Sequence, residues 1–305
     1  MRHLLKLLDL SPEEIIEILN LADQLKYEHN HGIPHPLLAG KTLGMIMGRP
    51  STRTRVSFEV GMVQLGGYPL VLKSSDLQLG HGEPLQDTAR SLSGYLNAVM
   101  IRTASQQEVE DFSKFGSIPV INALTDFSNP CEVLADLMTI RERKGNCTGL
   151  KMAFLGNGRN NTAHSTIVGC LKMGMTVAMG TPKGYEPAPE IHTFAKTYGD
   201  RFLLTHDPVE AAKDADIIST DVWGAVGVGA KSEIQNAEFV AYQVNQALLC
   251  HARSDVVVQH CLPARQGEEI SEDVFEQYAY TIFDAVENRL HIQKAILVKL
   301  LQANE

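Results

Sequence analysis

Apolar residues in this chain fall into short unbroken runs and helical periods, and the two alternate from end to end. The run Leu43-Gly44-Met45-Ile46-Met47 reads as a buried strand; behind it Val56, Val60 and Val63 recur at i, i+4 and i+7 until Gly66-Gly67, which predicts a helix with a glycine stop. Earlier, Ser11-Pro12-Glu13-Glu14 supplies an N-cap, a proline at the first helical position and two first-turn acids for a helix faced by Ile15, Ile18, Leu19 and Ala22. Strands are predicted at 69–72, 97–101 and 118–122, with helices from about residue 86 and from Asn129-Pro130, the latter faced by Val133, Leu134, Leu137 and Ile140. A polar break at 141–146 marks a domain boundary. Beyond it, strands are predicted at 152–155, 175–179, 202–204, 216–219, 255–259 and 280–283. A helix is predicted at 165–172, and a terminal one is faced by Ala285, Leu290, Ile292, Ile296 and Leu300. Strands alternating with helices in both halves predict an α/β protein of two doubly wound parallel-sheet domains, with the active site in the cleft between them.

The first strand-to-helix turn carries the densest chemistry, Ser51-Thr52-Arg53-Thr54-Arg55. Free backbone N–H groups and the positive end of the helix dipole favour an anion at such a point. Guanidiniums match phosphate oxygens bidentately and stay charged at neutral pH. Three hydroxyls and two arginines in five residues therefore predict a phosphate cradle rather than a plain helix cap. Arg102, at the end of the strand at 97–101, falls on the same edge of the sheet.

Size and charge narrow the class. A chain of 305 residues accommodates two domains, and 44% hydrophobic with 21% charged residues is a globular composition. No apolar run reaches membrane-span length, and the N-terminus lacks the apolar core of a signal peptide. A net charge of −9 argues against a general nucleic-acid binder but not against an anionic small substrate met by local arginines. The five cysteines have no paired or metal-like spacing, which suits thiols in a reducing cytoplasm. His29, His31 and His35 occupy a polar loop without a third well-placed ligand partner, so no metal site is expected.

Three further stretches bear chemistry. Gly156-x-Gly158 follows a strand as a dinucleotide fingerprint does, but Asn161 stands where the third glycine belongs and Thr181 where the acid does, so nucleotide binding is disfavoured. Asp221-Val222-Trp223 ends a strand before a run of three glycines at 224–229; Asp221 is placed either to accept a substrate ammonium or as a turn acid. His260-Cys261-Leu262-Pro263 ends another strand. Neighbours on an extended chain point to opposite sides, so a thiolate–imidazole pair is disfavoured; ligand-contacting polar groups or a structural turn remain. Together these suit acyl transfer from a phosphate to an amine, driven by orientation and oxyanion stabilisation.

Ser51 to Arg55, Arg102, Asp221-x-Trp223, the His260 to Pro263 stretch and Glu287-Asn288-Arg289 occur in an order and at spacings that resemble the aspartate/ornithine carbamoyltransferase family over nearly the whole chain. The resemblance implies a carbamoyl-phosphate domain of residues 1–144 completed by 284–305, an amine-acceptor domain of 145–283, no cofactor, and a homotrimer with shared sites. It implies that Ser51, Thr52, Arg53, Thr54 and Arg102 hold the phosphate, that Gln78 comes from a neighbouring subunit, and that the Leu262 carbonyl and Arg289 fix the carbamoyl end. Asn161 and Asp221 would hold the amino-acid head group, and Cys261 would lie near the attacking amine. Two departures stand out. Asn129-Pro130-Cys131-Glu132 replaces the family's His-Pro-x-Gln: Asn129 still donates to the carbonyl oxygen but cannot become cationic, and Glu132 accepts from the carbamoyl NH2 while repelling phosphate, unless both are simply a helix cap and a first-turn acid. Ala225-Val226-Gly227 replaces Ser-Met-Gly, removing a hydroxyl but keeping the Val226 N–H. The expected reaction is carbamoyl transfer to ornithine. The alternatives are another amine (putrescine, an acylated ornithine, another amino acid) or a catalytically weakened paralogue.

Overall fold

A computed structural model describes residues 1–73, 77–78, 82–224 and 237–302. The chain divides into two compact units, Met1–Met138 with Glu287–Glu305, and Thr139–Val286. Each is built on its own parallel sheet.

In unit 1 the elements run α1 (Pro12–Asn30), β1 (Thr42–Met47), α2 (Thr52–Gln64), β2 (Tyr68–Lys73), α3 (Leu85–Ser93), β3 (Ala98–Arg102), α4 (Gln106–Phe115), β4 (Val120–Leu124) and the first turns of α5 (Pro130–Lys144). The sheet order is β2-β1-β3-β4. The capping box read from the sequence is present at Ser11 and Glu14, so α1 starts where its local chemistry dictates. Ile46, Val99, Ile101 and Val120 meet Ala89, Val109 and Phe112 from α3 and α4 in the core beneath the sheet. Register pairs Met47 with Arg102 and Arg102 with Leu124, so the turns leaving β1, β3 and β4 share one edge. Gly44 permits that packing: a Cβ there would lie 2.4 Å from Leu96 Cδ1.

Unit 2 runs β5 (Lys151–Leu155), α6 (Asn161–Lys172), β6 (Thr176–Gly180), α7 (Pro189–Lys196), β7 (Phe202–Thr205), α8 (Pro208–Ala212), β8 (Ile217–Thr220), α9 (Gln246–Leu249), β9 (Val257–His260), α10 (Glu272–Gln277) and the first turns of α11 (Ala279–Gln302), numbered over the described residues. Its sheet order is β7-β6-β5-β8-β9, all parallel, with Ala153, Leu155, Ile218 and Val258 in a core closed by Ala211, Val274 and Ile282. Both sheets are thus of the parallel α/β kind the alternation predicts. No helix among the described residues is long and apolar enough to cross a membrane.

One expectation is corrected. Residues 280–283 are not a strand but the start of α11, where Ile282 and Ala285 continue into the period Ile292, Ala295, Ile296; a four-residue apolar run looks alike in either state. The valine stripe lies on a helix, as predicted, and it faces outward. Val56, Val60 and Val63 are exposed, and α2 buries Thr54, Phe58, Gly61 and Met62 instead. The polar stretch at 141–146, read as a boundary, begins inside α5.

Candidate functional site

In unit 1 the candidate residues gather at the start of α2. Ser51 is the N-cap, extended at φ −160°, and its hydroxyl accepts from the Thr54 N–H at 3.2 Å. Thr52 and Arg53 follow in the first turn, exposed and half-buried respectively, and Thr54 is buried. Arg55 turns away: its Nε donates to Glu59 at 3.0 Å on the exposed face, so one of the two arginines of the stretch is taken by a surface pair. Arg102 stands on the same sheet edge as Arg53, with Nη1 donating to the Ala123 carbonyl at 3.4 Å. Gln78 is exposed.

Asn129 is buried just before α5, and Glu132 sits in that helix's first turn. Glu132 forms a buried ion pair with Arg289 of α11. The sequence reading treats the Glu132 charge as an isolated repulsive group; the guanidinium beside it changes that account, since the pair is close to neutral. Cys131, between them in sequence, donates its S–H to the Asn122 carbonyl at 3.4 Å, and burial, then the Glu132 charge, push its thiol up to about 12. It is a packing cysteine.

In unit 2, β8 delivers Asp221. Its Oδ2 accepts from the Asn160 side chain at 2.8 Å and its Oδ1 from the Val222 N–H at 2.8 Å. Asn160 also caps α6, its Oδ1 accepting from the Thr162 N–H at 2.7 Å. Sequence reasoning singled out Asn161, which is half-buried and accepts from the Thr162 hydroxyl at 3.2 Å, and missed Asn160. The available signal was the N-cap position itself, where an amide has one face on the helix and another to spare. Trp223 stacks on Phe239 with ring centroids 5.5 Å apart. The Gly156 and Gly158 pair has a steric cause: added Cβ atoms would lie 3.2 Å from Trp223 Cδ1 and 2.5 Å from the Tyr185 carbonyl oxygen.

At the end of β9, His260 is almost fully buried. Its Nδ1 accepts from the Leu262 N–H at 2.9 Å and its Nε2 lies 3.0 Å from Glu269 Oε1. A backbone N–H only donates, so Nδ1 is the lone-pair nitrogen and Nε2 carries the proton that Glu269 accepts. Glu269 is fully buried and also accepts from the Arg265 N–H at 2.6 Å. The imidazole therefore faces inward and fixes a backbone turn. Leu262, so held, has φ +55°, a left-handed conformation uncommon for leucine, and precedes a cis Leu262-Pro263 bond. Glu269 was invisible in the sequence because nothing in the polar run Gly267-Glu268-Glu269 marks which acid turns inward.

Asp221, His260 and Cys261 place a ligand atom each within 4.8 Å of one another, a donor set of metal-binding type. Both imidazole nitrogens are already engaged, however, so coordination by His260 requires breaking the bond to Leu262 or to Glu269. Ala225 and Val226 lie outside the described residues.

In unit 1 a helix start with free N–H groups, hydroxyls and an arginine at a sheet edge has the chemistry to meet an anion, and in unit 2 strand ends present a held carboxylate. Residues 2–142 match the model of the aspartate/ornithine carbamoyltransferase carbamoyl-P binding domain, and residues 148–300 that of the Asp/Orn binding domain. The chain is 50% identical over 304 residues to an ornithine carbamoyltransferase of Carboxydothermus hydrogenoformans, covering 98% of this chain and 97% of that one. Among solved structures it is similar to the ornithine carbamoyltransferase from Pyrococcus furiosus (TM-score 0.94, 48% identity, 99% of this chain and 97% of that chain). It is also similar to the anabolic enzyme from Campylobacter jejuni (TM-score 0.93, 38% identity, 100% of both chains). The chain belongs to the aspartate/ornithine carbamoyltransferase family.

Proposed function

We propose that this chain transfers the carbamoyl group of carbamoyl phosphate to the side-chain amine of L-ornithine, giving citrulline and phosphate. The observation that carries the reading is the α2 start, where Ser51, Thr52, Arg53 and Thr54 converge beside Arg102 at one sheet edge. Helix-terminal N–H groups and guanidiniums together bind a phosphate dianion and stabilise it further as it leaves.

In this scheme Arg102 and Asn129 donate to the carbamoyl oxygen, and the Leu262 carbonyl and the Glu132–Arg289 pair meet the carbamoyl nitrogen and oxygen. Asp221, oriented by Asn160, holds the amino-acid head group with Asn161 and the backbone at Ala225 and Val226, while Cys261 lies near the amine. The neutral amine nitrogen attacks the carbamoyl carbon, and negative charge gathers on its oxygen. The bond from that carbon to the phosphate oxygen then breaks, and the nitrogen loses a proton to phosphate or solvent.

The outward valines favour assembly. Val56, Val60 and Val63 on α2, with Tyr68 and Leu70 on the edge strand β2, form an exposed apolar face on the way to Gln78. This supports a homotrimer in which Gln78 completes a neighbour's site. The thiol state of all five cysteines suits a cytoplasmic setting.

The test is turnover with carbamoyl phosphate and, in parallel, ornithine, putrescine and N-acetylornithine, with citrulline measured directly and the mass in solution read by light scattering. Citrulline formed at many times the enzyme-free rate supports the reading. A rate equal to the blank, or preference for another amine, overturns the acceptor.

A further inference from the structure

Within unit 1, the phosphate helix α2 rests on α11 through Gly61, where an added Cβ would lie 3.3 Å from Lys294 Cγ and 3.5 Å from Leu290 Cδ1. Lys294 is fully buried, and its ammonium donates to His35 Nε2 at 3.1 Å. His35 Nδ1 lies 3.1 Å from the Ile33 carbonyl and 3.4 Å from a Glu28 carboxylate oxygen. Both of those are acceptors, so Nδ1 carries the proton and Nε2 keeps the lone pair that Lys294 uses. One turn before Lys294 stands His291, fully buried, with neither ring nitrogen hydrogen-bonded.

The ionisable groups around this cluster come from two helices and a loop. From α1 come Lys26, Glu28 and His29, whose ring centroid is 5.6 Å from that of His291; from α11 comes Glu287, 4.0 Å from His291 Nε2; and His35 itself lies in the loop after α1. Bases outnumber acids, and the buried ammonium faces a neutral imidazole where a carboxylate would be the ordinary partner. Burial and the facing cations push His291 down to about 3, and burial pushes Lys294 down to about 8. His35 is lowered by burial and then by Lys294.

We propose that Lys294, His35 and His291 form a proton-sensitive brace. With both imidazoles neutral, it keeps the Arg289 helix seated on the phosphate helix; a proton added beside the charged Lys294 places two cations side by side in the interior, opens the packing and releases the anion site. The proposal rests on the reading that the α2 start binds the phosphate. Its role is positioning: none of the three residues need touch substrate. For the histidines, whose folded value lies below the ordinary 6.5, stability is intact above that pH and is lost as pH falls toward about 3. Lys294 acts in the alkaline range, where the closed form gains stability as pH rises from about 8 to 10.5.

The experiment titrates the full chain with inorganic phosphate by calorimetry at steps from about pH 8 to pH 5, with melting temperatures at each step, for wild type, Lys294→Met and His291→Phe. Protonation of phosphate itself is common to all three and cancels in the variant-to-wild-type ratio. Lys294→Met is expected to bind within about threefold of wild type at the alkaline end and about tenfold tighter at the acid end, with a flatter melting profile. His291→Phe should shift both in the same sense. A ratio that stays flat with pH in both variants overturns the brace, as does a flattened melting profile without any change in the binding ratio. Failure of the wild type to bind phosphate at the alkaline end overturns the anion-site assignment instead, and melting profiles identical across the three proteins would still overturn the brace.

Discussion

The two units build their chemistry differently. Unit 1 draws most of its proposed anion site from one turn of chain, Ser51 to Thr54, whose Arg53 is half-buried at the start of a helix folded on Phe58 and Met62. Unit 2 places Asp221, His260 and Leu262 at strand ends and holds each through a partner distant in sequence or buried: Asn160 for Asp221, Glu269 for His260, and His260 for Leu262. Ligand-facing and fold-holding groups are mostly separate in the first case and linked in the second. Substitutions in unit 1 should therefore change binding with little change in stability, and those in unit 2 should change both.

The largest effect is expected from Arg53→Ala. Removing a bidentate, charge-assisted contact should weaken carbamoyl phosphate binding by about 10²-fold or more, with unfolding free energy within ~0.5 kcal/mol of wild type. Calorimetric titration and urea unfolding measure the two. A large stability loss would erase the contrast between the units. Next comes Glu269→Ala, which strands the His260 Nε2–H and the Arg265 N–H in the interior. The expected cost is ~2–4 kcal/mol, read as a lower urea midpoint at unchanged slope, together with weaker carbamoyl phosphate binding as the Leu262 turn loosens. Glu269→Gln, which keeps an acceptor oxygen, should lose less than half as much.

The same contrast explains what could be read in advance. Ser51 to Arg55 was legible because its reactants are contiguous and sit between a strand and a helix, each with its own period. The parallel sheets were legible for the same reason. The pairing of Asp221 with Asn160 and of His260 with Glu269 was not, since periodicity says which face a residue takes and not which distant side chain it meets. The valine stripe shows a subtler limit: an apolar period on α2 reveals a face to be covered, but whether this chain's core or another chain covers it depends on what packs opposite. Residues 280–283 were misread because aromatic and β-branched residues in a helix's first turn imitate a short strand.

Arg289 is the member of unit 1 built in the manner of unit 2, since its guanidinium is held by buried Glu132. Glu132→Gln should therefore break the pattern with effects of opposite sign. Loss of the partner charge should destabilise the chain by ~1–3 kcal/mol, while the released guanidinium raises phosphate affinity by about three- to tenfold. Carried together with Asn129→His, it also restores the family's residues at both departures, and a large rise in turnover of the pair would locate the cost of those departures in the carbamoyl end.

Ser51 gives the smallest and sharpest test, because a single hydroxyl has both duties. Its oxygen accepts from the Thr54 N–H and so caps α2, while its proton stays available to a phosphate oxygen. Ser51→Ala should lower stability by ~1 kcal/mol, the usual value of a lost cap, and weaken phosphate binding by about tenfold, one hydrogen bond to a charged group. Ser51→Asn keeps a capping oxygen, so its unfolding free energy should stay within ~0.5 kcal/mol of wild type. If Ser51→Asn is as unstable as Ser51→Ala, the hydroxyl's worth lies in the close fit of a small side chain at the helix start, and cap and ligand cannot be separated there. If stability returns while phosphate binding stays weak, the two duties are independent, and unit 1 keeps folding apart from binding even at the residue where they share an atom.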